Sequence, residues 1–174
     1  MLIVKPSPIK TLRTVIRPFI PSDAEAAFGW FGNSGVMRFT PHGADKSLIE
    51  TVSRIEGYRK HQNMHGFSKW IVLDAVGGNP IGDSGLWIMQ PTGNIDLGVR
   101  LIRPYWSRGF GTEIVKAWIR AAFEDFDIDQ LTTFANPDNA ASHRIMEKCG
   151  FERRVLERVM GMKAVTYSLN RDSD

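Results

Sequence analysis

Apolar and polar residues alternate from Thr11 to Arg17 before Pro18, which predicts an opening strand. Ser22-Asp23-Ala24-Glu25 then has the spacing of a capping box, predicting a helix that runs through Phe28 and Trp30. A loop holding Gly32, Asn33, Gly35, Pro41 and Gly43 separates it from a second helix. There Leu48, Val52, Ile55 and Arg59 fall at helical spacing, over Lys46 to about His61. Phe67 to Ala75 and Ile81 to Met89 flank Gly77-Gly78-Asn79 and read as a hairpin. After a turn at Gln90 to Gly93, the alternating run Ile95 to Ile102 is a further strand. The amphipathic stretch from Gly111 places Val115, Trp118, Ala122 and Phe126 on one helical face. Leu131 to Ala135 reads as a strand, Ala140 to Cys149 as a helix stopped by Gly150, and Phe151 to Met160 with Lys163 to Asn170 as a closing hairpin. The order β-α-α-β-β-β-α-β-α-β-β predicts an α/β fold, a mixed sheet of about seven strands with about four helices on its faces.

At 174 residues the chain fits one domain, 1–174, with an ordered core over about 8–170 and no internal linker or repeat. Its 43% hydrophobic and 24% charged content is that of a globular protein. A net charge of +3 with scattered basic residues favours an acidic ligand and gives no stripe for nucleic acid. The single cysteine, Cys149, has no internal disulfide partner, which points to a reducing, cytoplasmic compartment. No apolar run approaches the roughly 20 residues needed to cross a bilayer, and Met1 to Lys10 has no signal pattern. The expectation is a cytoplasmic protein without membrane or nucleic-acid partners, monomeric or homodimeric.

The candidate chemistry centres on Trp106-Ser107-Arg108-Gly109-Phe110-Gly111-Thr112. A strand turning through Gly-x-Gly into a helix leaves backbone N–H groups unpaired at the positive end of the helix dipole, a socket for phosphate oxygens. A nucleoside-triphosphate loop needs a lysine after its last glycine, and none is present. A dinucleotide fold needs a small residue where Ile114 stands and an acidic residue ending the next strand. Asp127 and Asp129 lie before that strand instead.

The ordered set of motifs resembles the GCN5-related N-acetyltransferases, and within them the RimJ/RimL-like branch of ribosomal-protein N-terminal acetyltransferases. The resemblance rests on Gly66-Phe67 and Trp70, Ile81-Gly82 with Gly85-Leu86, Asp96-Leu97-Gly98, Tyr105 through Glu113, Asn139 with Ser142, and Lys148-x-Gly150-Phe151. Leu12-Arg13 through Pro18, Asp23 and Val36-Met37-Arg38 extend it over nearly the whole chain. Trp106 replaces the Gln or Arg usual in the wider family, and Arg103-Pro104 displaces the usual proline by one position.

The resemblance implies acetyl-coenzyme A as co-substrate and no metal. Backbone N–H groups from Arg108, Gly109, Phe110, Gly111 and Thr112 would hold the pyrophosphate, with the Arg108 side chain beside it. Gly109 and Gly111 would allow close approach of the backbone. The amides of the pantetheine arm would pair with a strand edge at Val99 to Leu101, where an N–H could also meet the thioester oxyanion. Direct attack by a neutral amine then requires an acid for the leaving thiolate. Where many members carry a tyrosine this chain has Met146, and Ser142 holds the position of the serine that acts in the resembled branch. Ser142 otherwise serves the first turn of its helix, and Asn139 is open to both ligand and cap roles. Asp96 stands where family enzymes carry a glutamate base; the other reading is an exposed strand carboxylate.

The remaining residues have plainer readings. Glu50 and Glu56 read as solvated, and His42, His61, His65 and His143 as surface residues without metal spacing. Cys149 reads as a small apolar packing residue, and Phe31, Phe39, Trp70 and Trp87 as aromatic core or, alternatively, an acceptor pocket. The function that follows is acetyl transfer to a primary amine of a small molecule, peptide or protein N-terminus. An acyl-coenzyme A-binding sensor with little turnover is the alternative from another class, and a nucleotide-binding module a third.

Overall fold

A computed structural model describes residues 6–172. Within them one sheet holds eight strands: β1 Ile9–Lys10, β2 Thr14–Pro18, β3 Lys69–Asp74, β4 Pro80–Ile88, β5 Ile95–Leu101, β6 Gln130–Ala135, β7 Glu152–Val159 and β8 Met162–Asn170. Their order across the sheet is β1-β2-β3-β4-β5-β6-β8-β7. Every neighbouring pair is antiparallel except β5 and β6. Four helices accompany it, α1 Ala24–Phe31, α2 Leu48–His65, α3 Phe110–Glu124 and α4 Ala140–Lys148. The mixed α/β architecture expected from the pattern is the one observed, with eight strands where about seven were expected.

The differences are local and have local causes. The opening strand begins at Thr14 rather than Thr11, because Thr11 N–H donates to the Thr14 carbonyl at 2.9 Å and turns the chain. Ile9 and Lys10 are thereby folded back onto Ile16 and Val15, which supplies the eighth strand. Ser22 caps nothing; the Asp23 carboxylate accepts from the Ile20 N–H at 2.8 Å and pairs with Arg17, closing a short 3-10 turn ahead of α1. The second helix runs one turn further than expected, to His65, where Gly66 at φ 82° ends it.

Side-chain alternation gives the sheet two faces. On one, Trp70, Val72, Leu86, Leu97, Leu101 and Leu131 pack with Ile114, Val115 and Trp118 of α3 and Met146 of α4. On the other, Ile71 packs with Trp30, Phe31 and Met37 from α1 and the loop after it, and with Ile55 of α2. The second face also buries charge. Asp83 accepts from Arg100 Nε at 3.0 Å and Nη2 at 2.8 Å, and from Trp30 Nε1 at 3.0 Å. Burial opposes the Arg100 charge, but Asp83 outweighs it and the guanidinium pKa is raised. Arg54 of α2 clamps Asp45 in the same layer and lies 4.8 Å from the Phe31 ring centroid.

Candidate active site

The parallel neighbours β5 and β6 share a single register pair, Asp96 with Thr132. Beyond it they part, while β5 stays paired to β4 along its whole length and β6 to β8 along its own. Ile102 N–H donates to the Ile81 carbonyl at 2.9 Å, so even-numbered residues of β5 direct their backbone groups toward β4. The backbone groups of Val99 and Leu101 therefore face the gap. Trp106 intervenes at one of them: its indole N–H donates to the Leu101 carbonyl at 2.6 Å. The edge left for a ligand amide is Val99 with the Leu101 N–H.

At the open end of the gap, a 3-10 turn over Arg103–Tyr105 leads into α3. Ser107 at φ 55° and Gly109 at φ 81° take left-handed conformations that coil the loop, a cost the glycine avoids and the serine bears. The first intrahelical bond is Glu113 N–H to the Gly109 carbonyl at 3.1 Å, so the N–H groups of Phe110, Gly111 and Thr112 point out of the helix start. The side chains divide the labour differently from their backbone. Phe110 is buried against Tyr105, with ring centroids 5.1 Å apart, and Arg13 covers it at 4.0 Å. Gly111 faces α4, where a Cβ would lie 2.7 Å from Ile145 Cδ1, so its missing side chain serves helix packing. Arg108 donates to the Pro104 carbonyl at 3.1 Å and lies over Tyr105 and Phe110.

Asn139 caps α4, its Oδ1 accepting from the Ser142 N–H at 3.2 Å. Half-buried Ser142 stands in the first turn of that helix, beyond the end of β6. Asp96 lies at the joined end of the gap, on the α1–α2 face of the sheet, whereas α4 packs on the other. It is not an exposed carboxylate: it is 8% exposed and accepts from Lys69 Nζ at 3.2 Å. Lys69 also donates to the Gly85 carbonyl at 2.8 Å. Sequence reasoning missed this lysine, since only the register that aligns Lys69, Gly85 and Gly98 brings it across two strands to Asp96.

Two histidines depart from the surface reading. His61 is buried; its Nδ1 meets the Phe67 carbonyl at 2.8 Å and its Nε2 accepts from the Ile88 N–H at 3.2 Å. Burial holds its pKa below the usual value. The signal available was its place one turn beyond Tyr58, itself packed against Phe19. His143 is half-buried, 2.7 Å from the Tyr167 hydroxyl and 3.0 Å from the Asn136 carbonyl. Cys149 packs with the α3 face, and burial pushes its thiol up. Phe31 and Trp70 are core, while Phe39 and Trp87 are half-buried. Glu50 caps Lys46 N–H at 2.8 Å and Glu56 pairs with Arg59. Among the described residues no group of three or more His, Cys, Asp or Glu side chains could hold a metal ion. No helix among them is long and apolar enough to cross a membrane.

The sheet is thus parted between two parallel strands, with a glycine-loop helix start at the mouth of the parting. Residues 13–152 match the family model described as "Acetyltransferase (GNAT) domain", and the chain belongs to that family of acetyltransferases. It is 26% identical over 165 residues to the "Uncharacterized N-acetyltransferase YoaA" of Bacillus subtilis, covering 93% of each chain. Its fold is similar to an acetyltransferase from Agrobacterium tumefaciens, with TM-score 0.83, 20% identity, and 97% and 96% of the two chains covered. It is also similar to a RimL ribosomal L7/L12 α-N-protein acetyltransferase in complex with coenzyme A, with TM-score 0.81, 15% identity, and 97% and 100% covered.

Proposed function

We propose that the protein transfers the acetyl group of acetyl-coenzyme A to an α-amine, in the manner of the RimJ/RimL-like branch. The observation that carries this is the edge left at Val99 and the Leu101 N–H, opening beside the unpaired N–H groups at the start of α3. The gap fits a pantetheine arm, because Val99 offers the donor and acceptor an amide needs and no strand covers them. The helix start, Gly109 and the Arg108 guanidinium would hold the pyrophosphate. When bound, acetyl-coenzyme A supplies the activated acetyl group.

The chain's own groups then divide between the two faces of the sheet. Asp96, with Thr132 beside it, faces the side lined by α1 and α2, and an amine arriving there would meet the carboxylate. Ser142 and Asn139 belong to α4, which packs on the opposite face, where a leaving thiolate would receive its proton and the arm a hydrogen bond. An α-amine with pKa near 8 is roughly a tenth neutral at pH 7, a lysine amine about one part in 2500. The difference leaves about 3 kcal/mol more for a base to recover with a lysine acceptor. Asp96, already engaged by Lys69, favours the acceptor that asks less of it. The +3 charge gives no reason to invoke a nucleic-acid acceptor.

Thiol release from acetyl-coenzyme A, measured with peptides bearing a free α-amine beside their Nα-blocked lysine isomers, tests the reading. Release with the α-amine set that is lost in Ser142→Ala is the expected result. Comparable rates on the lysine isomers at pH 7 would count against the acceptor class.

A further inference from the structure

The row Lys69, Gly85, Gly98 crosses three adjacent strands on the α1–α2 face. The missing side chain at Gly98 leaves room over β5 for the Lys69 chain, and Gly85 contributes its carbonyl, which accepts from Lys69 Nζ at 2.8 Å. A Cβ at Gly98 would sit 2.9 Å from Lys69 Nζ and 3.8 Å from Asp96 Oδ2. The ammonium position is therefore directly over the residue preceding Val99, the one whose N–H faces the gap. Both partners are nearly closed off, with side-chain exposures of 11% for Lys69 and 12% for Asp96.

We propose that Lys69 and Asp96 act as one proton-holding pair, which takes the proton an acceptor ammonium must lose before it can attack. The inference rests on the acetyl-transfer reading above and names its base. To accept a proton the pair must present Lys69 as an amine. The acceptor ammonium gives one proton to the pair, which becomes ammonium and carboxylate, and the acceptor becomes a neutral amine. As the new N–C bond forms and the C–S bond breaks, the second amine proton leaves with the departing thiolate as thiol. The pair returns its proton to solvent, so each turnover releases one proton.

Three elements besides β3 surround Lys69 with charge. On β5 stand Asp96, which favours its charged form, and Arg100, which opposes it. On β4 stands Asp83, whose charge is committed to Arg100. On α2, Tyr58 and Arg59 border the same concavity as Lys69, and His61 lies within coulombic reach. Burial is the largest influence, and the balance sets the Lys69 pKa below its ordinary value of 10.5. Lowering the Lys69 pKa enlarges the share of the pair that can accept a proton, which is what a base for an ammonium acceptor needs.

Two measurements decide it. Lysine Cε carbon NMR of the protein alone, assigned with Lys69→Met, should show the Lys69 signal titrating below pH 10.5; a midpoint at or above that value overturns the proposal. The pH dependence of kcat with α-amine peptides of differing amine pKa should show a rising limb whose midpoint does not follow the acceptor. Lys69→Met should lose that limb and fall at least tenfold in kcat. Lys69→Arg, which keeps the cation but cannot shed its proton, should fall as far, with melting temperature and acetyl-coenzyme A affinity close to wild type in both. Wild-type kcat and profile in Lys69→Arg would overturn the proposal, because a structural cation would then suffice. If the wild type turned over no α-amine, the acetyl-transfer reading would fall and this role with it. Normal turnover with a limb unchanged in Lys69→Met would overturn the pair alone.

Discussion

Arg13 holds Glu113 from two directions: its backbone N–H donates to Oε1 at 2.9 Å and its Nε to Oε2 at 2.7 Å. The same guanidinium donates to the Arg108 carbonyl at 2.9 Å and covers Phe110. The turn between β1 and β2 thus braces the glycine loop from outside. Arg13→Ala is expected to lower stability by about 1–2 kcal/mol. It should also raise the acetyl-coenzyme A dissociation constant by about tenfold, the equivalent of roughly 1.4 kcal/mol. Urea unfolding and calorimetry read the two effects separately, and unaltered affinity would mean the loop holds its own shape.

The same carboxylate predicts an acid response. Burial pushes the Glu113 pKa up, but hydrogen bonds from Thr11 and Arg13 outweigh it and the net shift is downward. The stability it adds is complete above the unfolded carboxylate value and is lost as pH falls through the lower folded one. Glu113→Gln should therefore flatten the decline in unfolding free energy below about pH 4.3.

Asp83 is the only carboxylate bonded to Arg100 among the described residues, and both groups lie beneath α1 and α2. Asp83→Ala would leave a buried cation and the Trp30 N–H without that partner. A loss of about 3–5 kcal/mol is expected by chemical unfolding. Only a loss under about 1 kcal/mol would show that Arg100 finds water instead.

His61 bridges two backbone groups only in its neutral form, since Nε2 must accept from Ile88. Burial lowers its folded pKa below the unfolded 6.5. Its contribution is full above pH 6.5 and is lost as pH falls through the folded value. His61→Leu should be less stable at pH 7.5 by about 1–3 kcal/mol and should show a shallower decline on acidification from pH 6.5. A decline identical to wild type would assign the acid sensitivity to other groups.

The two loop glycines should respond unequally. Gly109→Ala forces a side chain into φ 81°, at a cost of roughly 1–2 kcal/mol, and is expected to weaken acetyl-coenzyme A binding. Gly111→Ala meets only the end of the Ile145 side chain, which can swing aside, so its effect should fall on stability more than on affinity. Calorimetry on the two variants checks the ranking.

Periodicity and turn residues carried most of the architecture, because each strand and helix is specified by its own run of side chains. Gly150 ended its helix as its sequence position suggested, and the β3–β4 hairpin followed Gly77-Gly78-Asn79. The glycine loop was legible for the same reason. What local pattern does not encode is register. Lys69 meets Asp96 across 27 positions of chain, and Arg13 meets Glu113 across 100, and neither partner's neighbours announce the other. His61 was misread because polar Lys60 and Gln62 flank it, although its helical position turns it inward. Ser22 offered the spacing of a cap, but Pro21 and Asp23 built the turn first.

The lone Asp96–Thr132 pair divides the sheet into two rafts, β1 to β5 and β6 with β8 and β7, each continuous within itself. A ligand amide laid along Val99 would act as a splint across that division. The molecule that brings the acetyl group would then also be a mechanical member of the sheet, reinforcing the join that the core beneath α3 already makes between the two rafts.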